Sequence, residues 1–207
     1  MNFYLRTLLD LEWIVREEPF GEEGGKTSLY RISDHFLHFW YRFVAGLRSM
    51  LEFQPAAPVY ASRVQPFLSD YMGRHVFEDI CRQYLKIHGA HRLGQALARS
   101  GRYWTRKLQL EVDIMAELAD GRFLVGECKW SASPVGLGVY HGLREKLALL
   151  PRAEYKQSPM FALFSAAGFH RELQETAQRD GLLLVSGEEL LAGPGVPGLP
   201  AQAGDGP

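Results

Sequence analysis

Residues 122–130, RFLVGECKW, decide how this sequence is read. Phe123-Leu124-Val125 is apolar enough for a buried strand, yet the run closes on a carboxylate and an ammonium, Glu127 and Lys129. In a strand, residues i and i+2 share a face, so Glu127 and Lys129 point to one side and Cys128 to the other. Charges at the end of a buried strand are costly unless paired or used. The pair is therefore either a structural ion bridge or part of a hydrolytic metal site.

The neighbouring segments favour the second reading. Asp120-Gly121 is a hairpin signal, so LEVDIMAEL should pair with RFLVGECKW and bring Asp113 beside Glu127. Carboxylates about 4 Å apart repel by roughly 4 kcal/mol at an effective dielectric of 20, a cost that a cation removes. Mg²⁺ (or Mn²⁺) takes oxygen ligands and keeps several waters, so two or three carboxylates suffice. Lys129 could then orient the attacking water or stabilise developing charge. Upstream, the spacing predicts a long amphipathic helix from about Pro66 to Ile87, with Phe77, Ile80, Cys81, Tyr84 and Leu85 inward. Glu78 falls at the edge of that face and Asp79 on the solvent side, so Glu78 is the acid that can look into a site.

The rest of the chain is read by the same periodicities. Leu5, Leu8 and Leu9 lie at helical spacing; REEPFGEEGGKTSLYRI then reads as a hairpin with its tip near Gly24-Gly25. Helix plus hairpin resembles the end of a winged helix whose earlier helices would precede Met1, and residues 1–32 should be less protected than the core. Asp34 is a good N-cap for an aromatic-rich helix with Phe36, Phe39, Trp40, Phe43, Val44 and Leu47 on one face; a packed core is favoured over base stacking. QPAAP, residues 54–58, reads as a connector. Strands are expected at YWTRKLQ, LEVDIMAEL, RFLVGECKW, MFALFSA and LLLVS, with helices near 139–150 and 169–179. Residues 192–207 are rich in Gly, Pro and Ala and are expected to be disordered.

Composition bounds the partners. Hydrophobic residues at 46% and aromatics at 12% fit a folded domain, and no apolar run approaches a membrane span. The two cysteines, Cys81 and Cys128, make no disulfide framework, which fits a reducing cytoplasm. Cys81, His88 and His91 lack the paired spacing of a zinc site, and a buried Cys81 is the better reading. A net charge of −1 argues against coating nucleic acid by bulk charge. Residues 74–107 nevertheless hold eight Arg/Lys against Glu78 and Asp79, a block suited either to phosphates or to a solvated surface.

The order of these motifs resembles the PD-(D/E)XK, restriction-endonuclease-like superfamily. YRISDHFLHFWYRF, VFEDICRQYL, EVDIMAEL, LVGECKW, SPV and FSAAGF together resemble the C-terminal region of archaeal-type DEXX-box P-loop ATPases, domain of unknown function 234. That resemblance covers roughly residues 3–187. It implies a nuclease-like core behind a winged helix, with Glu78, Asp113, Glu127 and Lys129 at the acidic and basic motif positions and Trp104 and Glu111 in support. It also implies DNA as partner and an ATPase domain in the parent architecture. This chain has no G-x-x-x-x-G-K-[ST]; the GGKT of EEGGKTSLY lacks the first glycine and lies in the hairpin.

The expected fold is α/β of mixed α+β type: a restriction-endonuclease-like αβββαβ core preceded by a partial winged helix and an aromatic-rich helix. The expected divisions are a partial winged helix (1–33), a linking helix and connector (34–65), the nuclease-like domain (66–190) and a tail (191–207). Function is expected to be metal-dependent hydrolysis of DNA phosphodiesters by a cytoplasmic, ATPase-associated module. The alternative is an interaction module whose nuclease fold is silent.

Overall fold

The computed structural model describes residues 3–25, 27–107 and 109–192. Helix α1 (Phe3–Asp10) leads into an antiparallel hairpin of β1 (Ile14–Glu17) and β2 (Leu29–Ile32). A helical stretch follows, with α2 (His35–Phe39), a π turn over Trp40–Val44, and α3 (Arg48–Phe53). Asp34 caps α2 as its sequence position suggests, accepting the Leu37 amide at 2.8 Å. The expected connector at 54–58 is shorter than read. Helix α4 (Ala56–Arg63) already starts there, because Pro58 falls in its first turn, where no amide is needed. The aromatic stripe divides: Phe43 is buried with Val64 and Tyr71, whereas Phe36 is exposed.

The long helix is an interrupted one. Helix α5 (Gln65–Tyr71), with Pro66 in its first turn, passes through a π turn at Met72–Phe77 into α6 (Glu78–Leu93). Trp130, just beyond β5 (Phe123–Lys129), grips that π turn. Its indole stands 5.3 Å from the Phe77 ring and donates to Ser69 Oγ at 3.1 Å, and Gly73 leaves the space it fills. The helix that carries Glu78 is thus docked by the residue after Lys129.

Five strands form one sheet in the order β3-β4-β5-β6-β7. Strands β3 (Leu97–Trp104), β4 (Glu111–Leu118) and β5 are antiparallel neighbours, and β6 (Met160–Ser165) and β7 (Leu183–Ser186) add in parallel. Helix α7 (Leu137–Leu149) joins β5 to β6, α8 (Arg171–Asp180) joins β6 to β7, and α9 (Gly187–Ala192) follows. The expected αβββαβ order is the order observed, starting from α6. Strand β3 begins earlier than read, at Leu97. The strand ends at Trp104, because the Thr105 hydroxyl takes the Gln109 and Leu110 amides. The expected tail lies outside the described residues except at 191–192, which close α9.

Alternation along β5 builds two cores. Phe123 and Val125 face Leu143 and Leu147 of α7; Leu124 and Cys128 face Cys81, Tyr84 and Leu85 of α6. Ile80 is 39% exposed, so it lies off the inward face expected for it. The hairpin is also tied in more firmly than its sequence suggests. Phe20 is buried among Tyr155 and Phe123, and its amide donates to the Arg102 carbonyl at 2.8 Å. Helix α1, by contrast, buries none of its residues.

Gly126 sits mid-strand where a Cβ would lie 3.0 Å from Ile114 Cβ and 3.3 Å from the Ala162 carbonyl. Neither neighbour is a flexible side-chain end. Gly126→Ala should cost about 1–3 kcal/mol by overpacking, read as a lower urea midpoint at unchanged slope.

Candidate active site

The β4–β5 ladder runs to Ile114↔Gly126 at its open end, and β4 bulges where the register passes from Gly101↔Met115 to Tyr103↔Val112. Asp113 occupies that irregularity. Its Oδ2 accepts the Cys128 amide at 2.8 Å, so a side chain replaces the strand partner that the parting backbones no longer supply. Its own carbonyl accepts from Arg82 Nη1 of α6 at 2.9 Å. Asp113 is only 8% exposed.

Glu127 faces α7, and its side chain is 7% exposed. Lys129 Nζ donates to Oε1 at 2.6 Å, as the shared strand face requires. Sequence reading missed a second lysine. Lys146 Nζ of α7 donates to Oε1 at 2.8 Å and to Oε2 at 2.7 Å. Its signal was a cation three residues after Leu143, on the stripe that turns Leu143 and Leu147 toward the sheet.

Glu78 opens α6 with Arg82 Nη1 at 3.5 Å from Oε2. Asp79 does not face solvent, contrary to its helical phase. It takes Arg31 at 3.0 Å and His35 at 3.2 Å and also pairs with Arg82, because the β1–β2 hairpin lies over that side of the helix. Trp104 is buried at the end of β3 with the Arg102 guanidinium 4.9 Å above its ring. Arg102 also approaches Glu111 at 3.6 Å and Glu17 at 3.0 Å. Much of the basic block is likewise neutralised by acids distant in sequence: Arg92 pairs with Glu189, and Arg99 with Glu117 and Glu23. Cys128 points to the other face, against Cys81, where burial pushes its thiol up.

The structure therefore brings Asp113, Glu127 and Lys129 to one end of the sheet, with Glu78 approaching from α6. Burial, then the charges of Glu127 and Glu78, push the Asp113 carboxyl up to about 7. Burial also raises Glu78, against the opposing pull of Arg82 and Arg102. For Lys129, burial pulls the ammonium down, but the Glu127 hydrogen bond and charge outweigh it and hold the pKa above the usual lysine range. Among the described residues, no three His, Cys, Asp or Glu side chains already form a metal-ligand set. The donors still suit a hard cation: two buried carboxylates on adjoining strands, one of them destabilised by the acids around it.

The sequence profile of DUF234, "Archaea bacterial proteins of unknown function", matches residues 40–138, a stretch that holds Glu78, Asp113, Glu127 and Lys129 but not Lys146. No curated protein matches the sequence. Among solved structures, the complex of EndoMS with double-stranded DNA is 16% identical, covering 53% of this chain and 43% of that one, with a TM-score of 0.35. A repair endonuclease from Pyrococcus abyssi is 14% identical over 53% of this chain and 46% of that one, TM-score 0.38. A protein of unknown function is 21% identical over 50% and 56%, TM-score 0.34. The chain thus spans less than half the length of the first two.

Between pH 4 and 7 the folded chain holds a proton on Asp113 that the unfolded chain has lost, so stability falls as pH rises through that window. Asp113→Asn removes the cost and keeps an acceptor for the Cys128 amide. Without divalent ions the variant should exceed wild type at pH 8 by up to about 4 kcal/mol, and the difference should vanish near pH 4. Denaturant titrations across that range check both ends.

Proposed function

We propose that this chain hydrolyses DNA phosphodiesters with a divalent metal, as the nuclease-like module of an ATPase-linked system. The observation that carries the proposal is the gathering of two buried carboxylates at the open end of the sheet, Asp113 on the Cys128 amide and Glu127 on Lys129, where burial and neighbouring acids push Asp113 up. Perturbed titratable groups gathered in this way characterise catalytic sites. Asp113 and Glu127 would hold Mg²⁺ or Mn²⁺, with Glu78 completing the acidic set. When bound, the ion supplies positive charge to the scissile phosphate and acidifies a water.

The chain's own groups do the rest. The Cys128 amide fixes the Asp113 carboxylate, and Lys129 fixes Glu127. Lys129 stays protonated, so it can donate to the attacking water or to phosphate oxygens as charge accumulates. Trp104 and Glu111 support the site through Arg102, which stacks on the indole and lies beside the carboxylate. No ATPase motif is present, so any nucleotide-driven step belongs to a partner domain.

The interaction-module reading has one observation in its favour: both oxygens of Glu127 are already engaged by lysines. Cleavage assays on linear, supercoiled and branched DNA separate the two. Wild-type protein should cut with Mg²⁺ or Mn²⁺ and stop on chelation. Asp113→Asn and Lys129→Ala should each lose about 10²–10⁴-fold in rate with cooperative unfolding retained. A folded wild type that binds no Mn²⁺ by calorimetry and cuts none of these DNAs establishes the silent module instead.

A further inference from the structure

Among the described residues, the hydrogen-bond donors to the Glu127 carboxylate are Lys129 of its own strand and Lys146 of α7. The Lys146 ammonium spans the carboxylate, 2.8 Å from Oε1 and 2.7 Å from Oε2, while Lys129 reaches Oε1 alone at 2.6 Å. Among the described residues, Oε2 has no other donor. A carboxylate with 7% exposure needs both oxygens satisfied, and a lysine that straddles them supplies the charge compensation. The Lys146 side chain keeps 31% of its surface exposed, so a rotation about its own stem carries the ammonium to water.

We propose that Lys146 is a displaceable stand-in for the cation: a positioning residue that clamps Glu127 until a divalent ion takes its place. This inference rests on the metal-dependent reading above. Magnesium binds oxygen at about 2.1 Å. A divalent ion on Glu127 and the Lys146 ammonium that spans both its oxygens are like charges at contact distance on one carboxylate, so each weakens the hold of the other. Lys129 does not compete in the same way, because it bonds Oε1 only and can remain. The clamp stabilises the buried acid in the metal-free protein and opposes metal entry. Occupation of the site and release of Lys146 become one event, which frees an ammonium at the mouth of the site.

The test is Mn²⁺ affinity of the full chain by calorimetry, with melting curves in EDTA and in Mn²⁺, for two substitutions that act in opposite directions. Lys146→Met keeps the stem and removes the charge; it should lower the melting temperature in EDTA yet bind Mn²⁺ about 5-fold tighter or more. Lys146→Arg presents a planar fork that grips a carboxylate with two parallel bonds, and should bind Mn²⁺ more weakly than wild type. A purely structural lysine predicts weaker binding in both variants. That result, or equal affinity in all three proteins, overturns the proposal while leaving the metal site standing. If Lys146→Met does not fold, a Lys146→Arg affinity at or above that of wild type overturns it alone. If no protein binds Mn²⁺, the metal-dependent reading itself fails, and the clamp with it.

Discussion

Two carboxylates on adjoining strands, both almost wholly buried, set the terms for everything around them. Asp113 takes the Cys128 amide at the place where the β4–β5 ladder gives out, and Glu127 is held by lysines from its own strand and from α7. An isolated buried charge costs several kcal/mol even after the protein relaxes. The sheet meets that cost for Glu127 with ammoniums. For Asp113 it does so by letting the carboxyl keep its proton up to about pH 7. The raised pKa of Asp113 is produced by its environment alone.

The elements that bear on this cluster are locked by contacts outside it. Trp130 fixes the π turn just before Glu78, so the approach of α6 is set by the residue that follows Lys129. Arg82 ties the same helix to the Asp113 carbonyl. On the other flank, Arg102 connects the hairpin, through Glu17, to Trp104 and Glu111. A cleft of about 560 Å³ lies between hairpin, α6 and β3, lined by both signs of charge. The basic character of residues 74–107 is therefore largely internal bookkeeping, with much of it balanced inside the fold.

Some of this was legible in the sequence. The period-2 pattern of residues 123–129 and the Asp120-Gly121 turn were sufficient to pair β4 with β5 and to put Glu127 and Lys129 on one face. Helical phase puts Glu78 beside Cys81 and Leu85, at the edge of the apolar face of α6. The errors are of different kinds, and one is that phase reports which way a side chain points, not what lies there. Asp79 points outward from its helix and meets the hairpin. Ile80, expected inward from its spacing, is 39% exposed. Thr105 ended a strand early through a local hydroxyl cap that no periodicity registers.

By itself the sequence determined the strand and helix order, the turn chemistry and the residue types at the sheet's open end, because these follow from local spacing and from the geometry of a trans polypeptide. Tertiary structure decided what those residues experience. Lys146 lies seventeen residues beyond Lys129, yet its ammonium completes the environment of Glu127. Phe20 reaches across from the hairpin into the core behind β5. The near-neutral pKa of Asp113 exists only because desolvation and two distant acids act on it together. Charge interactions depend on separation in space and on exclusion of water, and neither quantity is encoded in the spacing of residues along the chain.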